Sequence, residues 1–233
     1  MFDLRWAMKL DTSMSFRATV LRRSYALLLF ALIALPQARA ADPVRPIMFN
    51  DRDGLTVTLV ASPNIGSSSE ASQVGNAGQW LKVEFHYSVT PTTAVPFIDS
   101  AEFKVWIEGR DLYAANAPGD AGVAVVLTGS VTYVNIPAGR DAYGVFYVHP
   151  STLARYSSKE GIEDFDRKFN VHIEADVAGA ESDYFDKVKD PQGPDWYKGP
   201  KPVAGLVYRK DQSPFVMGDV DHYPAIKLPT PAQ

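Results

Sequence analysis

No cysteine occurs anywhere in the 233 residues. Its absence excludes disulfides, thiol nucleophiles, cysteine-ligated zinc and lipidation of a cysteine at a processed N-terminus, so stability must come from packing. Clustered Lys and Arg are also missing, which disfavours nucleic acid and anionic membrane surfaces as partners, because their phosphates demand such clusters. Long apolar runs are absent too: the longest, residues 25–35, is about eleven residues against the roughly 20 that a membrane-spanning helix needs. Finally, the chain has no Gly-x-Ser-x-Gly elbow, phosphate loop or His-Glu-x-x-His pair, so the usual sequence marks of hydrolases, nucleotide enzymes and zinc proteases are wanting.

What is present at the N-terminus has the form of an export signal. Arg17, Arg22 and Arg23 precede the apolar run, Pro36 ends it, and Ala38-Arg39-Ala40 supplies a small-residue cleavage pattern. Residues 1–40 are therefore expected to be removed after Ala40, with translation starting at Met1, Met8 or Met14. A retained anchor helix is the alternative, disfavoured by Pro36 and the Ala-x-Ala pattern. An exported protein of the periplasm, cell surface or exterior follows, with no membrane span after cleavage. The leader carries six Lys/Arg and two Asp, so the remainder has 17 basic and 25 acidic residues and a net charge of about −8.

About 193 residues suit one domain with a full core. Residues 41–223 are assigned to it, and 224–233 to a proline-rich extended tail. Within the domain the hydropathy alternates with period two. Leu81, Val83, Phe85, Tyr87 and Val89 share one strand face, with Lys82, Glu84, His86 and Ser88 on the other. Ala101, Phe103, Val105 and Ile107 alternate with Glu102, Lys104, Trp106 and Glu108, and Phe169, Val171, Ile173, Ala175 and Val177 with Asn170, His172, Glu174 and Asp176. Further strands are predicted over 55–60, 123–128, 130–136, 142–148 and 203–208. One short helix is predicted after Pro150, capped by Ser151 and running to Tyr156. Seven or eight strands with so little helix predict an all-β fold, an immunoglobulin-like β-sandwich whose sheets hide their apolar faces against each other, with a barrel as the alternative. Loops are predicted over 62–78, 109–122 and 179–205, the last long enough to suggest function.

Four histidines, His86, His149, His172 and His222, are scattered, and the strand phase puts His86 and His172 on solvated faces. Asp219, Asp221 and His222 form the best metal-like cluster, but Gly218 beside them reads as turn chemistry. Glu163, Asp164 and Asp166 lack the alternating ligand ladder of a calcium loop. No metal, cofactor or catalytic residue is predicted. Trp106 lies out of the core phase, and Trp196 and Tyr197 sit in the proline-rich loop. These three are the candidate binding residues: either the rings stand exposed to stack on sugars or anchor a protein, or the loop folds back and buries them over a sheet edge.

The runs Trp80-Leu-Lys-Val-Glu-Phe85, Pro96-Phe-Ile-Asp99, Val131-Thr-Tyr-Val-Asn-Ile-Pro137, Val148-His-Pro-Ser-Thr-Leu-Ala-Arg155 and Gln212-Ser-Pro-Phe215 resemble a family of small secreted bacterial pilus-like proteins. The likeness covers residues 45–220. It implies an immunoglobulin-like sandwich associated with genes for type IV pilus-type assembly, and brings no catalytic residues. A true type IV pilin keeps its apolar N-terminal helix to build the filament, whereas this chain is expected to lose it. The resemblance therefore implies an accessory or adhesive role rather than a major pilin. The leading expectation is a non-enzymatic secreted interaction protein with protein partners at the cell envelope or pilus. A carbohydrate-binding module using Trp106, Trp196 and Tyr197 is the alternative, with glycans as partners. A hydrolase would require His149 or His172 to meet a Ser and an Asp in a pocket.

Overall fold

Alternation in the sequence becomes two-sidedness in space. A computed structural model describes residues 46–50, 54–63, 78–90, 96–114, 122–157, 170–188, 193 and 195–228. The predicted leader, the cluster Glu163, Asp164 and Asp166, and most of the 62–78 loop lie outside the described residues. Among the described residues there are eleven strands: β1 (Ile47–Phe49), β2 (Leu55–Ala61), β3 (Gln79–Val89), β4 (Phe97–Asp111), β5 (Val123–Pro137), β6 (Asp141–Val148), β7 (Val171–Asp176), β8 (Asp183–Lys187), β9 (Lys201–Ala204), β10 (Val207–Arg209) and β11 (Ala225–Ile226). They form two sheets. In the five-stranded sheet the order is β1-β3-β6-β10, with β2 also on β3; in the six-stranded sheet it is β11-β5-β4-β7-β8, with β9 running parallel on β5.

The fold is the all-β sandwich that the alternation predicts. Leu81, Val83, Phe85 and Tyr87 of β3 face Phe103, Val105 and Ile107 of β4 across the interior, all at most 1% exposed. Aromatic contacts stitch the sheets together, with Phe103 4.9 Å from Phe85 and 4.8 Å from Tyr87 between ring centroids. Full burial of side chains of this size contributes about 1.5–3 kcal/mol each. Tyr133 of β5 reaches across, and its hydroxyl accepts a 3.1 Å hydrogen bond from the Val145 backbone N–H of β6. Gly144, the partner of Phe85 in the β3–β6 register, leaves room for that ring: a Cβ there would lie 2.0 Å from Phe85 Cζ.

The structure corrects several expectations. Residues 123–128 and 130–136 belong to one strand, β5, because Gly129 continues the ladder and accommodates Val207 rather than turning the chain; a Cβ at Gly129 would stand 2.9 Å from Val207. Among its described residues, the predicted 179–205 loop contains β8, β9 and the 3-10 turn Trp196–Lys198. Strand β4 runs on to Asp111, into the predicted 109–122 loop. The one α-helix described, α1 (Pro150–Tyr156), is capped not by Ser151 but by His149, whose Nδ1 accepts from the Ser151 N–H at 3.1 Å, with Pro150 at the first turn. It buries Thr152, Leu153 and Tyr156. Part of the extended tail, β11, pairs with β5. Among the described residues no helix is long and apolar enough to cross a membrane.

Candidate functional site on the outer face of the six-stranded sheet

Pairing register places the polar phase of β4 between those of its neighbours. Trp106 stands opposite His172 of β7 on one side and Thr128 of β5 on the other; Lys104 stands opposite Glu174 and Ser130. His172 in turn faces Asp186 of β8. These side chains share the face turned away from the core, so the sheet displays a ready-made row of rings and charges.

His172 is the centre of the row. Its Nδ1 lies 2.7 Å from Asp186 Oδ1 and its Nε2 3.1 Å from Glu174 Oε1. Ionised carboxylates only accept, so both contacts are hydrogen bonds when each ring nitrogen carries its hydrogen. The 3-10 turn brings Tyr197 over the imidazole, stacked at 3.8 Å with 13° between planes, and the Tyr197 hydroxyl donates to Glu174 at 3.2 Å. Burial, together with the Glu174 charge, pushes that hydroxyl's pKa up. Trp106 leans on this stack, 5.2 Å from both the His172 and the Tyr197 ring centroids. Beside it, Lys104 Nζ donates to Asp176 at 2.6 Å and stands 3.6 Å from Glu102. The Lys104 hydrogen bond, with one from Ser182, holds Asp176 below the usual carboxylate range against the opposing effect of burial.

An open groove of about 530 Å³ runs along the other flank of Trp106, bordered by Glu102, Lys104, Thr128, Ser130 and Gly205. Among the described residues, no hydrogen-bond partner meets the Thr128 and Ser130 hydroxyls or the Trp106 indole N–H.

The three ring residues singled out in the sequence therefore do converge, but in different states. Trp196 is buried at 8% exposure, with its indole N–H unpaired among the described residues, and serves as a plug under the turn. Tyr197 is half-buried by its stack on His172, while Trp106 borders the groove. His172, expected on a solvated face, is only 2% exposed, because Tyr197 and the Trp106 ring cover it. Sequence reasoning missed Thr128 and Ser130; their shared polar phase on one strand was the available signal. The other histidines lie elsewhere. His149 Nδ1 approaches Ser151 Oγ at 2.7 Å in the helix cap, and His172 holds the carboxylates, so Ser and acid partners fall on two different histidines. His86 and His222 both stack on the Tyr143 ring, with centroids at 4.6 and 4.3 Å. Among the described residues no three His, Asp or Glu are placed to hold a metal ion; Asp219 sits in a turn, with φ 46° and its carbonyl accepting from the His222 N–H.

A two-sheet β-sandwich with a preassembled aromatic and charged outer face is the class of protein that these features define. A family model matches residues 50–230, and the chain belongs to that family. The match lies over nearly the same stretch as the pilus-like resemblance. A crystal structure from Akkermansia muciniphila superposes with a TM-score of 0.57 at 22% identity, covering 80% of this chain and 100% of that one, and the two share the fold. Among curated proteins, none matches the chain.

Proposed function

We propose that this chain is a non-catalytic exported binding protein of the bacterial envelope or cell surface, accessory to a pilus-type assembly. The observation that carries the reading is the outer face of the six-stranded sheet: Trp106 and His172 on adjacent strands and Tyr197 on the Trp196–Lys198 turn are held together by ring contacts, with His172 and Tyr197 also hydrogen-bonded to carboxylates, which suits recognition because little side-chain freedom remains to be lost on binding. The pilus-like sequence runs at 80–85, 96–99, 131–137, 148–155 and 212–215, the family membership and the export signal at residues 1–40 support the same reading. Processing after Ala40 would leave a domain without the apolar helix that builds a filament core, which favours a peripheral place over that of a major subunit.

Cell fractionation of the native host, with protease shaving of intact cells, tests this. The expected result is protein in the envelope fraction with Ala41 at its N-terminus, shed or digested from whole cells and depleted in mutants lacking pilus-type assembly genes. Recovery of the unprocessed chain from the cytosol alone would overturn the reading.

A further inference from the structure

We propose that the groove beside Trp106 is a binding site for a neutral sugar chain, with the indole as stacking platform and Glu102, Lys104, Thr128 and Ser130 as its hydrogen-bonding wall. This deepens the reading of the chain as a surface binding protein and rests on it. Of the three candidate rings, two are already used: Trp196 is buried and one face of Tyr197 is covered by His172. Trp106 is the ring that borders open space, and its N–H is unpaired among the described residues. A pyranose ring presents a flat face of C–H bonds that packs on such an indole.

The donor and acceptor inventory selects the ligand class. An anion would want donors only and a cation acceptors only. This groove mixes them: Lys104 donates, the Glu102 carboxylate accepts, and the unpaired hydroxyls of Thr128 and Ser130 do both. Sugar hydroxyls likewise both give and accept, so a neutral polyhydroxy ligand uses every group. Lys104 lies 2.6 Å from Asp176 and 3.6 Å from Glu102, so its charge is already paired and does not select an anion. Register fixes the layout, with Trp106 beside Thr128 and Lys104 beside Ser130, about 5 Å across the strands and about 7 Å along them. That grid suits successive groups of a sugar chain. Gly205, at φ 81°, closes the rim without a side chain that would fill it, and the volume falls within the range of roughly 300–1,000 Å³ typical of ligand sites.

The test is titration of the exported protein with neutral hexasaccharides of glucose, N-acetylglucosamine, mannose and xylose, followed by calorimetry and tryptophan fluorescence, with hexalysine and a heparin hexasaccharide as charged controls. At least one neutral saccharide is expected to bind, with fluorescence change, and neither control to compete. Trp106→Ala should weaken binding at least about tenfold, a loss of about 1.4 kcal/mol. Because Trp106 also packs on His172, Ser130→Arg serves as the second variant: it projects from an exposed strand position, should fill the groove with melting temperature unchanged, and should weaken binding by at least the same factor. Failure of all four saccharides, binding of a charged control in their place, or full affinity in Ser130→Arg would overturn the proposal. A surface-located protein that binds none of these sugars overturns the sugar assignment alone; one that binds them but remains in the cytosol overturns the surface reading alone.

Discussion

On the five-stranded sheet, Val145 and Tyr147 point away from the core yet are only 0% and 4% exposed, because residues 210–223 are laid over them. Phe215 stacks on Tyr147 at 4.6 Å with 7° between planes, the Tyr223 hydroxyl bonds Glu84, and Lys210 Nζ reaches the Asp219 carbonyl at 2.9 Å. Burial, with the nearby charges of Glu84 and Asp219, pushes Tyr147 up to about 12. On the six-stranded sheet, Trp106 and Lys104 occupy equivalent outward positions and border an open groove. Both faces carry aromatic and charged residues in the same alternation. What separates them, among the described residues, is how far later segments cover the face: Phe215 and Tyr223 lie over the five-stranded sheet, whereas on the six-stranded sheet the Trp196–Lys198 turn covers His172 but leaves Trp106 and Lys104 beside the groove.

The largest expected effect tests the sealing. Tyr147→Ala should cost about 3–5 kcal/mol in urea denaturation, because it empties a position closed between sheet and strap. Trp106→Ala should cost about 1–2 kcal/mol, the worth of its aromatic contacts at a half-exposed site. Equal losses would mean that the open face is also structural core and would erase the comparison.

A smaller effect concerns acid. Burial raises the Glu84 carboxyl, but hydrogen bonds from Lys82 and Tyr223 outweigh it and hold the group below its ordinary range. A depressed carboxylate contributes stability above its unfolded value and loses it as pH falls through the folded one. The melting-temperature deficit of Glu84→Gln should therefore be full near neutral pH and shrink below about pH 4. Asp176 is depressed in the same direction, so Asp176→Asn should follow the same trend. Its deficit should be smaller, since the Asp176 and Lys104 side chains are 34% and 37% exposed and water screens their pair. A deficit that grows on acidification would contradict this.

The division between faces explains what could be read from the chain alone. Strands β3, β4 and β7 announced themselves because their apolar residues alternate with polar ones, which is period two made visible, although His172 on the polar phase of β7 is itself buried. Strands β8 and β11 are short edge pieces with mostly half-buried or exposed residues and so lack the pattern, while the strand predicted over 203–208 is divided at Gly205 between β9 and β10, which lie in different sheets. The predicted strands 123–128 and 130–136 stop either side of Gly129 because its reason for being glycine, the approach of Val207, comes from 78 positions further along the chain. The same limit applies to the site. Trp106 was marked by its phase on β4, whereas the burial of His172 and Trp196 depends on the turn at Trp196–Lys198 folding over β7, a contact that no local pattern encodes.

The most direct measurement is nitrogen-15 NMR of the tryptophan indoles in the protein, titrated with the neutral saccharide that binds best. Trp80 donates its indole N–H to Ser62 at 2.9 Å and Trp196 is buried, whereas the Trp106 N–H is unpaired beside the groove. If the partly open face is the binding face, the Trp106 indole resonance shifts in a saturable way while those of Trp80 and Trp196 stay in place. A saturable shift confined to Trp80, which packs 5.9 Å from Phe215 on the sealed face, would contradict the account.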